Sequence, residues 1–130
     1  MRALPSYDYA VVRVTPSAER GEFVNSGLVL HSLERGFLEC RVHLDEARLL
    51  AMCPTLDLET VRLHLKAFVR VCAGDLSAGP IAKLSTRERF QWLVAPRSTM
   101  IQISEVHSGV SESPRDTFEE LFRRLVLPIS

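Results

Sequence analysis

The sequence predicts an α+β domain: an antiparallel meander of three strands joined by a returning fourth strand, with helices packed on one face. Three observations predict it. Three β-rich segments follow one another with only short turn signals between them. Capped segments of helical periodicity fill the middle, and a β-rich segment returns just before a last helix.

Residues 7–14 read as a strand with Ala10, Val12 and Val14 on one face and Tyr7, Tyr9, Val11 and Arg13 on the other. An apolar body on both sides places it centrally. Thr15-Pro16-Ser17 ends it, because Pro16 lacks an N–H and holds Thr15 extended. Residues 22–31 form the second strand, in which Gly27 marks a bulge or a close backbone approach. Leu33-Glu34-Arg35-Gly36 is a hairpin turn, and residues 37–44 form the third strand. There Leu38, Cys40, Val42 and Leu44 alternate with Glu39, Arg41 and His43, so one face is core and the other solvent.

Asp45 caps a short helix through Met52, and Asp57 caps a longer one to Cys72, with Leu58, Val61, Leu65, Phe68 and Cys72 on one stripe. Gly74 supplies the left-handed stop. Ser85-Thr86-Arg87-Glu88 is a capping box opening a third helix, which turns Phe90, Leu93 and Val94 inward and stops before Pro96. Residues 99–107 form the fourth strand, with Ile101 and Ile103 opposite Gln102 and Ser104. Ser113-Pro114 starts the last helix, which buries Phe118, Leu121, Phe122 and Leu125.

The chain of 130 residues fits one domain, residues 1–130, and needs no disulfide or metal to hold it. Sixteen basic and sixteen acidic residues cancel, which argues against sequence-independent affinity for nucleic acid or a membrane surface. The basic residues are 14 Arg against 2 Lys, which fits GC-rich codon usage as well as selected anion contacts. Cys40, Cys53 and Cys72 read as reduced core thiols of a cytoplasmic protein. Neither a signal peptide nor a membrane span is expected.

No metal or cofactor is expected, since H-x-H, H-E-x-x-H, C-x-x-C and the glycine-rich phosphate loops are missing. With Ser32 paired to Phe37, His31 falls opposite Leu38 and His43 opposite Ser26, so the two share no site. Nothing resembles a nucleophile elbow either, and catalytic residues are left unassigned. What remains is a polar set without a packing reason: Arg20, Glu22, Asn25, Arg97, Ser98, Thr99 and Gln102, with Trp92 as an amphipathic anchor. The competing reading is structural: Arg20 and Arg97 pair with Glu22 or Glu88, Ser98 or Thr99 caps backbone, and Trp92 packs in the core or half-buried.

At Arg20-Gly21-Glu22-Phe23-Val24-Asn25-Ser26-Gly27-Leu28-Val29-Leu30 and Phe90-Gln91-Trp92-Leu93-Val94-Ala95-Pro96-Arg97-Ser98-Thr99, the sequence resembles the bacterial domain of unknown function 3037 family. The resemblance runs nearly full length, from Tyr9 to Arg13 through Gln102 and Val106-His107-Ser108-Gly109; Ser26 departs from a small apolar residue. The family has no established activity, so the resemblance carries over no catalytic residue. Its members are often encoded beside a kinase-like protein similar to the high-persistence toxins, which implies a partner role in a toxin–antitoxin setting.

The function expected is therefore a small cytoplasmic binding or regulatory module acting on a protein partner or on itself, through an edge strand open to augmentation. The kinase-like neighbour is the partner the resemblance implies. The alternative is an anion-binding or phosphate-handling enzyme, with Arg20 and Arg97 as the clamp and Glu22 or His107 in acid–base work. Arg97, Arg20 and Trp92 are expected close together.

Overall fold

β-Branched and aromatic residues carry the first strand, β1 (Ser6–Ser17), through the Thr15-Pro16-Ser17 expected to end it: Pro16 lies in a register shift between the pairs Val14–Val24 and Ser17–Glu22, where its missing N–H costs no ladder bond. The computed structural model describes residues 3–97 and 99–129. β2 (Glu22–Ser32) and β3 (Phe37–Val42) complete the meander, and the sheet order is β3-β2-β1-β4, with β5 also on β1. The hairpin register is the expected one: Ser32 faces Phe37 and His31 faces Leu38. Gly27 stands at both a bulge and a close approach. The β1–β2 register shifts beside it, leaving Ser26 as the extra residue between the pairs Val12–Gly27 and Arg13–Asn25.

The fourth strand expected over residues 99–107 is two short strands, β4 (Ile101–Ile103) and β5 (His107–Val110). Val12 pairs with Ile103 but Tyr9 with His107, so three residues, Ser104 to Val106, stand against two. The physical reason is a bulge sealed by a side chain. Ser104 donates its N–H to the Val11 carbonyl at 2.9 Å, and its Oγ accepts the Val11 N–H at 2.8 Å. No ladder bond of β1 is lost there.

Three helices, α1 (Glu46–Met52), α2 (Leu58–Cys72) and α3 (Thr86–Val94), cover the face that carries Ala10, Val12, Val14, Val29 and Cys40. Asp45, Asp57 and Ser85 cap them as expected. Gly74 has φ +73°, and Asp75 N–H to Arg70 O with Gly74 N–H to Val71 O closes α2. Two single turns, Leu76–Ala78 and Pro80–Lys83, lead on to α3.

The helices do not share one face. α4 (Pro114–Leu125) lays Phe118, Leu121 and Phe122 over Leu28 and Leu30 on the opposite side. The polar row of β3 is therefore not simply solvated: Arg41 meets Glu119 through two hydrogen bonds of 2.7 Å, and Arg115 reaches Glu39 at 3.1 Å. Cys40 and Cys72 are buried free thiols, whereas Cys53, also expected in the core, is half-buried because it is the residue on which α1 ends.

A Cβ on Gly27 would meet Val42 Cγ1 at 3.0 Å, Arg41 O at 3.1 Å and Val12 Cβ at 3.1 Å. Two of these sit on a strand backbone that cannot retreat. Gly27→Ala is expected to lose about 1–3 kcal/mol by overpacking, read as a lower urea midpoint at unchanged slope. An unchanged midpoint would mean that β3 gives way.

Candidate functional site

The residues singled out in the sequence fall in four places. Arg20 and Glu22 form an exposed ion pair at the β1–β2 turn, where Gly21 takes φ +68°. Asn25 donates Nδ2–H to the Leu125 carbonyl at 3.0 Å and borders a cavity of about 370 Å³ with Phe23, Arg48 and Arg124. Gln102 pairs with Arg13 across β1–β4, and Thr99 donates its hydroxyl to Ile101 O at 2.9 Å. Ser98 lies outside the described residues.

Arg97 and Trp92 do come together. The Arg97 guanidinium lies 4.8 Å from the Trp92 ring centre and 4.7 Å from that of Phe68. Its nitrogens donate to Leu93 O at 2.8 Å, Trp92 O at 2.9 Å and Ala95 O at 3.1 Å, the last carbonyls of α3. A cation there also faces the negative end of the helix dipole. Trp92 is 38% exposed, outside the core. Among the described residues, no hydrogen bond, ion pair or ring contact links Arg20 to Arg97 or Trp92.

Two further places escaped sequence reasoning. The first is the outer edge of β3. His43 N–H donates to Ser26 O at 2.8 Å, so the odd-numbered residues of β3 bond to β2. The backbone groups of Leu38, Cys40 and Val42 then point away from the sheet. Beside that edge runs a groove of about 180 Å³ lined by Leu38, Glu39, Cys40, Val69, Cys72 and Ala73, between β3 and the C-terminal half of α2. Burial pushes the Cys72 thiol up to about 12 and that of Cys40 well above the ordinary range, so both groove thiols are protonated and serve as apolar lining.

The second is a polar row across the sheet end. Asp8 is opposite His31 on one side and Ser108 on the other, so all three share the face covered by α3. The Ser108 hydroxyl donates to the Asp8 carboxylate. His31 is buried, stacks on Phe90 at 5.4 Å, and has Nε2 3.3 Å from Thr86 Oγ1. Over the row opens a cavity of about 390 Å³, walled also by Ser6, Leu33, Arg87 and Gln91. Burial lowers the His31 pKa from its ordinary 6.5; the Asp8 charge opposes that shift and Arg87 adds to it. The imidazole is neutral at pH 7. The signal was present in β1, where Asp8 continues the core-facing series Ala10, Val12, Val14.

Two outcomes are expected. Arg97→Ala removes three carbonyl partners and two ring contacts and should cost about 1–2 kcal/mol; Arg97→Lys should recover only part, because an ammonium cannot bridge the carbonyls while stacking. Chemical denaturation of both variants checks this, and equal stability of Arg97→Lys and wild type would refute it. For His31, a folded-state pKa below the unfolded 6.5 means that the unfolded chain takes up the proton first. Its contribution is whole above pH 6.5 and is lost as pH falls from there toward the folded value. His31→Gln should flatten the stability profile as pH falls below about 6.5, before carboxylates begin to titrate; an unchanged slope there would refute it.

Among the described residues no helix is long and apolar enough to cross a membrane. No curated protein and no solved structure matches this chain. The family model described as "protein of unknown function (DUF3037)" matches residues 9–126, nearly the whole chain, and the chain belongs to that family.

Proposed function

We propose that the protein is a binding module that takes an extended segment of a protein partner as an added strand on the β3 edge. The observation that carries this reading is the coincidence of an open edge and an apolar groove. Leu38, Cys40 and Val42 offer outward N–H and C=O groups, while Val69, Cys72 and Ala73 stand beside them to receive alternate side chains. Each added main-chain bond contributes about 1 kcal/mol net, and the groove supplies selectivity. The kinase-like neighbour implied by the family resemblance is the partner to try first.

A second reading, anion binding, has one observation in its favour: Arg48 and Arg124 line the cavity beside Asn25, and neither is in an ion pair among the described residues. That clamp uses other arginines than Arg20 and Arg97.

Amide exchange of the free and partner-bound protein separates the two. In the free chain Glu39 and Arg41 amides should be protected and Leu38, Cys40 and Val42 amides fast; partner should protect the second set. Ala73→Glu, exposed on the groove rim, should abolish association without unfolding the chain. Protection that rises with protein concentration alone would identify a second copy as the partner. Association that survives Ala73→Glu but is lost in Arg48→Gln or Arg124→Gln would overturn the strand-addition reading in favour of the anion site.

A further inference from the structure

We propose that the cavity over the Asp8–His31–Ser108 row binds a small zwitterion of the α-amino-acid class with an apolar side chain, its ammonium on Asp8 and its carboxylate on Arg87. This site is independent of the β3 edge. Its volume of about 390 Å³ lies within the roughly 300–1,000 Å³ typical of small-molecule sites.

The charges select the ligand. Asp8 and Arg87 both border the cavity, yet neither takes part in an ion pair among the described residues, with each other or with a third group. A carboxylate and a guanidinium that face one cavity without neutralising each other suit a ligand carrying both signs. A phosphate dianion fits worse. It would meet one cation and the Asp8 carboxylate, with a second carboxylate, Glu34, bonded to the wall residue Ser6, whose N–H and hydroxyl it accepts at 3.0 Å each. His31, whose pKa burial lowers, adds hydrogen-bonding capacity beside the two charges.

The walls set the side chain. Phe90 closes the floor against His31, and Leu33 stands 62% exposed at the mouth with no core contact to explain it. Gln91 and Ser6 complete the polar rim. The β1–β2 ladder holds the Asp8 backbone and the Ser108 hydroxyl holds its carboxylate, so the group is oriented before any ligand arrives.

The test titrates the isotopically labelled full chain with L-leucine and its two half-analogues, isoamylamine (no carboxylate) and 4-methylpentanoate (no ammonium), following the His31 ring and the Arg87 and Leu33 amides. Leucine should give saturable shifts at these positions and bind tighter than either half. Asp8→Asn, which keeps an acceptor for Ser108, should weaken leucine and isoamylamine about tenfold or more and leave 4-methylpentanoate unchanged. Arg87→Gln, at an exposed position, should do the converse. The proposal is overturned if leucine gives no saturable shift, if it binds no tighter than its halves, or if the two variants weaken all three probes alike.

Discussion

Everything in this fold is arranged around β1, a strand buried on both faces and hydrogen-bonded on both edges. Asp8, Ala10 and Val12 bond toward β2, and Tyr9, Val11 and Arg13 toward β4 and β5. A slip of β1 by one residue would exchange both faces at once. One irregularity of the sheet lies at the far end of β1 itself, where Thr15 and Pro16 stand against Phe23; the other two lie in its neighbours, with Ser26 the extra residue in β2 and the three residues Ser104 to Val106 standing against two of β1 between β4 and β5. Each of the two in the neighbours reverses the alternation beyond it. Past the first, Phe23 and Asn25 turn to the α4 side, where Arg13 lies 4.2 Å over the Phe23 ring. Past the second, Ser108 turns to face α3 and meets Asp8.

The same constraint leaves the sheet asymmetric. Because the returning strands pair with β1, β3 keeps one edge without a partner among the described strands. α4 covers the opposite face and is held chiefly by burial of Phe118 and Phe122. Exposed ion pairs alone contribute little, but Arg41 also lies 5.1 Å over Phe118 and 5.2 Å over Phe122 while it pairs with Glu119. The pair therefore sets the register of α4 on β3. It also holds the Glu119 carboxyl below its usual range.

Local patterning, in caps and alternation, located the four α-helices and the β2–β3 register but not the strand ends, since β1 runs on through Pro16 and β3 stops at Val42 rather than Leu44. What it could not give is anything that depends on which residue meets which elsewhere in the sheet. The bulge at Ser104–Val106 has no signature in residues that read as one strand; only the Val11 N–H, which needs an acceptor, explains it. The second helical layer was half legible: Tyr7, Tyr9 and Val11 already gave β1 an apolar second face, which some element had to cover. Arg97 was chosen for its position after a helix end, and that position is what it serves, as the fork on the last carbonyls of α3. Asp8 and His31 lie far apart in sequence and become a pair only once the register is fixed.

The excess of arginine over lysine takes on a second meaning from these contacts. Arg89 donates to Leu84 O at 2.8 Å and Arg97 to three carbonyls, while Arg13, Arg41 and Arg115 lie over aromatic rings as well as bonding or bordering strands. Each of these uses needs a planar guanidinium rather than a point charge. Arg20, Arg62, Arg70 and Arg123 pair with nearby carboxylates. Once those are set aside, the arginines that border a cavity and carry no ion pair among the described residues are Arg48, Arg87 and Arg124. Zero net charge thus conceals a division of labour among the arginines: some hold helix ends or α4 in place, whereas Arg48, Arg87 and Arg124 stand where a ligand could reach them.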